Sequence, residues 1–269
     1  MHFLSAETMS DSEISVPTTQ RYFMQLSYCG APYHGWQIQP GCVTVQSVIE
    51  DALSKIFRHP TQIVGAGRTD AGVNARLMIA HFDAPAPLAD ERKFVRALNS
   101  IVGRNIAIQR VCRVHSDAHA RFDATSRTYH YYVSTRKTPF FHQLCWQAPA
   151  TIDFGAMNRA AEELLAVDDF TSFAKLHTDN KTNICHVSEA QWHQMPSVDG
   201  GYVFVITADR FLRNMVRAVV GTLVDVGRGK LTIDDFRRII ADRNRCSAGT
   251  SMPGHALFLW DITYPYITF

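Results

Sequence analysis

The chain has 269 residues, of which 46% are hydrophobic and 19% charged, and its formal net charge is +2. This length suits one large domain or two modest ones, and the apolar fraction excludes a chain that is disordered throughout. The small net charge neither requires nor excludes a phosphate-rich partner, because arginines on solvated helix faces produce the same charge counts.

No segment of the sequence predicts export or membrane insertion. Residues 1–19 are polar and rich in Ser and Thr, and no basic start precedes a long apolar stretch, so we expect a loose tail rather than a secretory signal. The most apolar run, residues 215–227, contains Arg217 and Asp225 and is too short to span a bilayer. We therefore expect a cytoplasmic protein without a membrane partner.

Apolar periodicity predicts alternating strands and helices along the first half of the chain. Thr44 is a suitable N-cap for the first helix, and Pro60 marks its end. A loop of small residues separates two of the strands. The predicted elements are strands at residues 21–28, 61–67, 77–84 and 105–114, and helices at residues 44–59 and 88–102.

The second half repeats this style. Thr232 and Asp235 resemble a capping box, with Asp in place of the usual Glu. The similar element content predicts an α+β fold of two halves, residues 20–115 and 116–269, around a shared cleft. The predicted elements are strands at residues 126–136, 183–195, 202–209 and 255–263, and helices at residues 151–166, 211–227 and 231–242.

The small-residue loop reads VGAGRTDAGVNAR at residues 64–76 and contains one carboxylate. Its glycines allow backbone conformations that are closed to other residues, so the main chain can approach a ligand closely. In an extended segment Arg68 and Asp70 project to the same side, and a neighbouring guanidinium favours an ionised carboxylate. Asp70 is therefore a candidate nucleophile. The alternative is an aspartate that caps a turn beside a surface arginine.

Two other segments combine aromatic rings and arginines. The loop at residues 33–39, YHGWQIQ, could face nucleic-acid bases or belong to the core. Aromatic rings alternating with guanidiniums suit RNA, although a β-strand with a tyrosine face gives the same pattern. The residues of this second segment are Arg121, Arg127, Tyr129, Tyr131 and Tyr132.

Arg217 is a cation on an otherwise apolar helix, between Met215 and Val219. A buried carboxylate is the natural partner for such a group, and a side chain that reaches out to solvent is the alternative. The cysteines and histidines do not cluster at ligand spacing, and the sequence contains no CxxC, HxH or HExxH. We therefore expect neither a disulfide framework nor a metal site.

The stretch GAGRTDAGVNA closely resembles the active-site motif of the TruA family of pseudouridine synthases, whose pattern is G-R-T-D-A-G-V-H-A. Four more segments agree in order, so the resemblance covers about residues 20–265. The chain departs from the family pattern at Asn74, where histidine is usual, at Cys29, where aspartate is common, and at Ile38, where a basic residue can occur. The four segments are residues 28–39, 119–131, 169–173 and 211–221.

The resemblance implies a fold, a reaction and a set of site residues. The fold is a mixed, mostly antiparallel sheet flanked by helices, with a central active-site cleft. Asp70 falls on the catalytic aspartate and Tyr129 on the tyrosine that stacks on the target base. Arg68 falls on the arginine that holds the place of the flipped nucleotide, and Arg217 on the basic residue that pairs with the aspartate.

The family converts uridines at positions 38, 39 and 40 of the tRNA anticodon stem-loop to pseudouridine. It uses no metal or organic cofactor and works as a homodimer. A non-catalytic RNA-binding protein would fit the Arg- and Tyr-rich segments but gives no reason to pair Asp70 with Arg217. A phosphatase would need a second carboxylate two residues from Asp70 and a magnesium site, and those positions are Arg68 and Gly72.

Overall fold

The computed structural model describes residues 19–176 and 181–269, which fold around a nine-stranded sheet with five α-helices. The predicted tail at residues 1–19 therefore lies, apart from Thr19, outside the described residues. The strands are β1 Gln20–Tyr28, β2 Val64–Gly65, β3 Asn74–Ala84, β4 Ile106–Arg113, β5 Ser126–Ser134, β6 Trp146–Gln147, β7 Val187–Gln194, β8 Gly201–Ala208 and β9 Leu257–Thr263. The helices are α1 Val45–Phe57, α2 Glu91–Ile101, α3 Phe154–Glu162, α4 Met215–Gly227 and α5 Ile233–Asp242.

The sheet runs in the order β4-β1-β3-β9-β5-β8-β7, with β2 added to β3 and β6 added to β5. Its pairings are antiparallel except for β3 with β9 and β5 with β6. The β3–β9 pairing has only two registered pairs, Asn74 with Phe258 and Ala75 with Leu259. The predicted α+β class with a mixed, mostly antiparallel sheet is confirmed. The division into two halves stays a prediction.

The helices form where the apolar period and the caps coincide. Thr44 caps α1 by accepting from the Ser47 backbone N–H, and the Ser47 side chain accepts from the Thr44 backbone N–H in return. Thr232 and Asp235 make the same reciprocal contacts at the start of α5. Both predicted N-caps are confirmed. Such side chains satisfy backbone donors that have no partner inside the helix.

Helices and strands bury their apolar faces against each other. On the side of α1 and α2, Phe94 stacks on Phe57 at 5.3 Å between ring centroids and on Phe82 of β3 at 5.9 Å. On the side of α3, the Phe154 ring lies 5.3 Å from Trp192 of β7. Helix α4 is buried along most of its length. Among the described helices, none is long and apolar enough to cross a membrane.

Most of the predicted elements differ from the observed ones by a few residues at their boundaries, and three of them show a structural cause. The strand expected at residues 61–67 is paired only at Val64–Gly65, because the chain turns into a glycine-rich loop. The helix expected at residues 151–166 ends at Glu162 and continues as a 3₁₀ turn, Glu163–Ala166. The helix expected from residue 211 begins at Met215, because Asn214 has a left-handed backbone (φ 65°) and hydrogen-bonds Ser251.

Candidate active site

Residues 66–73 form a loop between β2 and β3 that carries Asp70, here called the aspartate loop. Its main chain is held by the segment that follows β1. The Thr69 carbonyl accepts from the Trp36 backbone N–H at 3.1 Å, and the Gly72 N–H donates to the Tyr33 carbonyl at 3.4 Å. The Thr69 hydroxyl also lies 2.8 Å from the Tyr28 hydroxyl. These contacts fix the loop on both sides of Asp70.

Two glycines allow the segment after β1 to approach the aspartate loop closely. A Cβ at Gly30 would lie 2.1 Å from the Val73 carbonyl oxygen. A Cβ at Gly35 would lie 2.5 Å from the Thr69 carbonyl oxygen, and Gly35 also has a left-handed backbone, φ +88°. Tyr33, between these glycines, and Trp36, which follows Gly35, are both buried. The structure therefore places these two rings in the core, which is one of the two alternatives that the sequence leaves open for residues 33–39.

The Asp70 carboxylate faces two arginines, one in α4 and one just before it. Its Oδ2 lies 3.2 Å from Arg217 Nη1, and its Oδ1 lies 3.8 Å from Arg213 Nε. The side chains of Asp70 and Arg217 are about one-quarter exposed, at 25% and 23%, whereas Arg213 is 59% exposed. A carboxylate in such a partly enclosed site needs a cationic or hydrogen-bonding partner. Arg217 supplies that partner.

Arg217 is itself held in place. It lies in the first turn of α4, and its Nε donates to the Met252 carbonyl at 2.6 Å. The Met252 backbone N–H donates to the Arg217 carbonyl at 3.0 Å. One guanidinium edge is thus fixed by the main chain, which leaves Nη1 aimed at Asp70. Arg213 precedes the helix, and sequence reasoning did not single it out as a partner of Asp70.

Tyr129 lies on β5 with its ring buried, and it contacts Phe211 edge-on at 5.0 Å and 85°. Burial raises the pKa of Tyr129 to about 12; the Arg127 guanidinium opposes this shift and the charge of Asp70 adds to it. The phenol is therefore protonated at neutral pH and can donate a hydrogen bond. The structure brings Tyr129, Asp70 and Arg217 to one site.

Arg68 has a different environment. Its side chain is exposed, and within residues 19–176 and 181–269 it makes no hydrogen bond or ion pair. Asp70 pairs with arginines from the region before and in α4, not with its neighbour two positions away. The Arg68 guanidinium is therefore exposed next to the Asp70 site, and no described residue fixes its position.

Arg127 has a structural role that the sequence did not reveal. Its Nη1 donates to the carbonyls of Ala124 and Asp209, both at 2.8 Å. Its Nη2 donates to the carbonyls of Arg121, at 2.5 Å, and Ala66, at 3.1 Å. The interpretation of Arg127 as an RNA contact is wrong, because main-chain acceptors occupy its guanidinium. Arg127 ties the start of the aspartate loop to the segments before β5 and after β8.

Asn74, where the family usually has histidine, is buried, and both polar atoms of its amide make a hydrogen bond. Its Oδ1 accepts from the Gly30 backbone N–H at 2.8 Å, and its Nδ2 donates to the His255 carbonyl at 2.8 Å. It joins the segment after β1 to the segment before β9. Asn74 therefore fixes the position at which the aspartate loop ends and β3 begins.

The described residues contain no group of three or more His, Cys, Asp or Glu side chains that could hold a metal ion. Only Asp70 carries a carboxylate in the aspartate loop. The groups that the structure places at the site are the Asp70 carboxylate, the two guanidiniums that face it and the protonated Tyr129 phenol.

Comparison with known proteins agrees with this arrangement. Residues 160–265 match the family model described as tRNA pseudouridine synthase. The matched segment contains α4 with Arg217 and ends beyond β9. By its fold and its site the chain is thus similar to the pseudouridine synthases.

The curated relatives extend the similarity to nearly the whole chain. A tRNA pseudouridine synthase A of Parabacteroides distasonis is 57% identical over 246 residues, which cover 91% of this chain and 96% of the relative. The enzyme of that name from Bacteroides fragilis is 54% identical, covering 92% and 98%. The one from Bacillus pumilus is 37% identical, covering 89% and 97%. The chain belongs to the tRNA pseudouridine synthase A family, which confirms the resemblance seen in its motifs.

Proposed function

We propose that this protein isomerises uridine to pseudouridine in tRNA, at positions 38, 39 and 40 of the anticodon stem-loop. Membership of the family supports the reaction. The observation that carries the proposal is the Asp70 carboxylate, held 3.2 Å from the Arg217 guanidinium in the site that contains Tyr129. A protein that only binds RNA has no need of such a pair.

The reaction breaks the bond between uracil N1 and ribose C1′ and forms a bond between uracil C5 and C1′. The proton on C5 leaves and N1 gains one, so substrate and product have the same composition. No oxidant, reductant or co-substrate enters this balance, and we propose that no metal or organic cofactor takes part. The target nucleotide must first leave its stack, which costs a few kcal/mol.

Each site residue has one proposed role. Asp70 acts as the ionised nucleophile or base, and attack at C1′, attack at C6 and removal of the C2′ proton all begin from that carboxylate. Arg217 pairs with the carboxylate and orients it. The Tyr129 ring stacks on the extruded uracil and returns part of the unstacking energy. Arg68, which is exposed on the aspartate loop, occupies the space that the flipped nucleotide leaves.

Mapping of pseudouridines in bulk tRNA tests the proposed reaction. Wild-type protein is incubated with tRNA that lacks the modification, and carbodiimide adducts are located as reverse-transcription stops. We expect new stops at positions 38 to 40 and nowhere else. Binding of tRNA without any stop would instead indicate a non-catalytic RNA-binding protein.

We also propose that the protein acts as a cytoplasmic homodimer. A tRNA-sized ligand needs a groove wider than one chain of this size offers. Light scattering at concentrations where the enzyme is active should give twice the chain mass. A monomer under those conditions would contradict the dimer but not the reaction.

A further inference from the structure

An exposed aromatic ring lies in a tight turn before β5. Residues 119–123, here called the rim turn, are closed by the Asp123 backbone N–H, which donates to the His119 carbonyl at 3.1 Å. Phe122 is 75% exposed although it belongs to this turn. Its ring stacks on His119 at 4.2 Å between centroids and 30° between planes, and the Arg121 guanidinium lies 5.8 Å from its centroid.

The rim turn holds this ring outward in a fixed position. The backbone N–H groups of Arg121 and Phe122 both donate to His119 Nδ1, at 3.1 and 3.2 Å. Asp123 Oδ2 accepts from the His119 backbone N–H at 2.7 Å and from the Tyr266 hydroxyl at 2.6 Å. Burial lowers the pKa of His119, so its Nδ1 is free to accept at neutral pH. The turn is therefore ordered without burying Phe122.

The rim turn adjoins the aspartate loop. Arg127 Nη2 donates to the Arg121 carbonyl at 2.5 Å and to the Ala66 carbonyl at 3.1 Å, so these two oxygens cannot be farther apart than the sum of the two distances. Ala66 begins the aspartate loop and is two residues from Arg68. The exposed ring of Phe122 and the exposed guanidiniums of Arg121 and Arg68 therefore belong to one margin of the candidate active site.

We propose that Phe122 is a stacking platform for an unpaired nucleobase of the RNA substrate, next to the uridine that enters the site. An exposed π face binds bases of any sequence, and adjacent guanidiniums complement the phosphates that link them. The described contacts of this ring are with His119 and with the Arg121 guanidinium of its own turn, and three-quarters of the side chain stays exposed. The inference rests on the proposed function, because it assumes an RNA substrate.

Equilibrium binding of unmodified tRNA tests the platform. The measurements use Asp70→Asn protein, so that the RNA is not converted, with and without Phe122→Leu. Loss of one stacked base should weaken the affinity by roughly 5- to 100-fold. Phe122→Tyr keeps the π face and should recover most of that loss, whereas Leu165→Ala, at a half-exposed leucine after α3, should leave the affinity unchanged.

The salt dependence separates stacking from charge. Phe122→Leu should leave the slope of log Kd against log salt unchanged, because stacking releases no counterions, and Arg121→Gln should make that slope shallower. If Phe122→Leu, Phe122→Tyr and the Asp70→Asn parent bound tRNA with equal affinity, the proposed stacking role of Phe122 would be wrong. If wild-type protein still forms pseudouridine in that case, the inference alone fails. If wild-type protein neither binds nor converts tRNA, the proposed function fails.

Discussion

The two sides of the candidate active site are built in opposite ways. The aspartate loop is held mainly by main-chain contacts with the segment after β1. That segment can approach so closely because Gly30 and Gly35 have no Cβ atom. The facing side places Arg217 on a helix and Tyr129 on a strand, where a regular backbone directs each side chain. Substitutions on the first side should therefore act through folding, and substitutions on the second through chemistry.

Asp70→Asn lies on the aspartate loop but should act on the chemistry, because Asp70 pairs with Arg217 on the facing side. It should have the largest effect on turnover. The amide occupies the same volume but can neither attack nor accept a proton, so we expect turnover to fall by about 10⁴-fold or more. Binding of tRNA should survive. Single-turnover pseudouridine formation and a tRNA binding assay measure the two quantities. Substantial product from this variant would remove Asp70 from the mechanism.

Arg217 and Arg213 should differ strongly although both face Asp70. Arg217→Gln removes the closer, less exposed guanidinium, and we expect kcat to fall by about 10²- to 10³-fold. Thermal stability should also fall, because the Asp70 carboxylate and the Met252 carbonyl lose their partner. Arg213→Gln removes a 59% exposed group at 3.8 Å and should lower kcat by less than about fivefold. Steady-state kinetics on both variants provide the comparison. Equal losses would show that the two arginines share one role.

Gly30 and Gly67 form a matched pair on the main-chain side. Gly30→Ala would place a Cβ 2.1 Å from the Val73 carbonyl oxygen and should destabilise the fold by about 2–3 kcal/mol. A Cβ at Gly67 meets nothing within 4 Å, and Gly67 has no left-handed backbone, so Gly67→Ala should change stability by less than about 0.5 kcal/mol. Urea unfolding gives both values. An equally damaging Gly67→Ala would break the distinction.

His81 tests how the rim turn is attached, through the pH dependence of stability. It is buried on β3, its Nδ1 accepts from the Ala120 N–H at 3.1 Å, and burial lowers its pKa from 6.5 to about 4. Between these values the unfolded chain binds more protons than the folded one, so the free energy of unfolding should decrease as pH falls from about 6.5 to about 4. The expected slope is about 1 kcal/mol per pH unit.

His81→Asn is the control for this pH dependence, because its amide oxygen can replace Nδ1 as the acceptor but does not titrate. Urea unfolding of both proteins at several pH values should show a flatter profile for the variant. His130, whose pKa burial also lowers to about 4, adds the same slope to both proteins and cancels in the difference. Identical profiles would contradict the assignment to His81.

Local patterns were sufficient for most helices and strands but not for their arrangement. Thr44 and Thr232 mark helix starts because a cap and its partner lie within four residues. Helix α4 begins only after Asn214, whose side chain hydrogen-bonds Ser251, 37 residues away. A contact between residues so far apart in the chain cannot be read from a local sequence pattern. The place of β9 between β3 and β5 likewise depends on long-range packing.

The residues of the candidate site also differ in whether the sequence could identify them. Asp70, Tyr129 and Arg217 were predicted because motif resemblance marks them, and the structure brings them together, although their catalytic roles stay predictions. Arg127 was misread because its partners are main-chain carbonyls, which every residue possesses and no motif reveals. Its position two residues before Tyr129 on one strand was the available signal, since such residues share a face.

The central position of β9 has a consequence for what holds the site together. Residues 257–263 pair with β3 on one side and with β5 on the other, so β9 connects the strand that follows the aspartate loop to the strand that carries Tyr129. Met252, whose carbonyl accepts from Arg217 Nε, lies five residues before β9. Loss of either pairing would therefore separate the Asp70 carboxylate from the groups that face it.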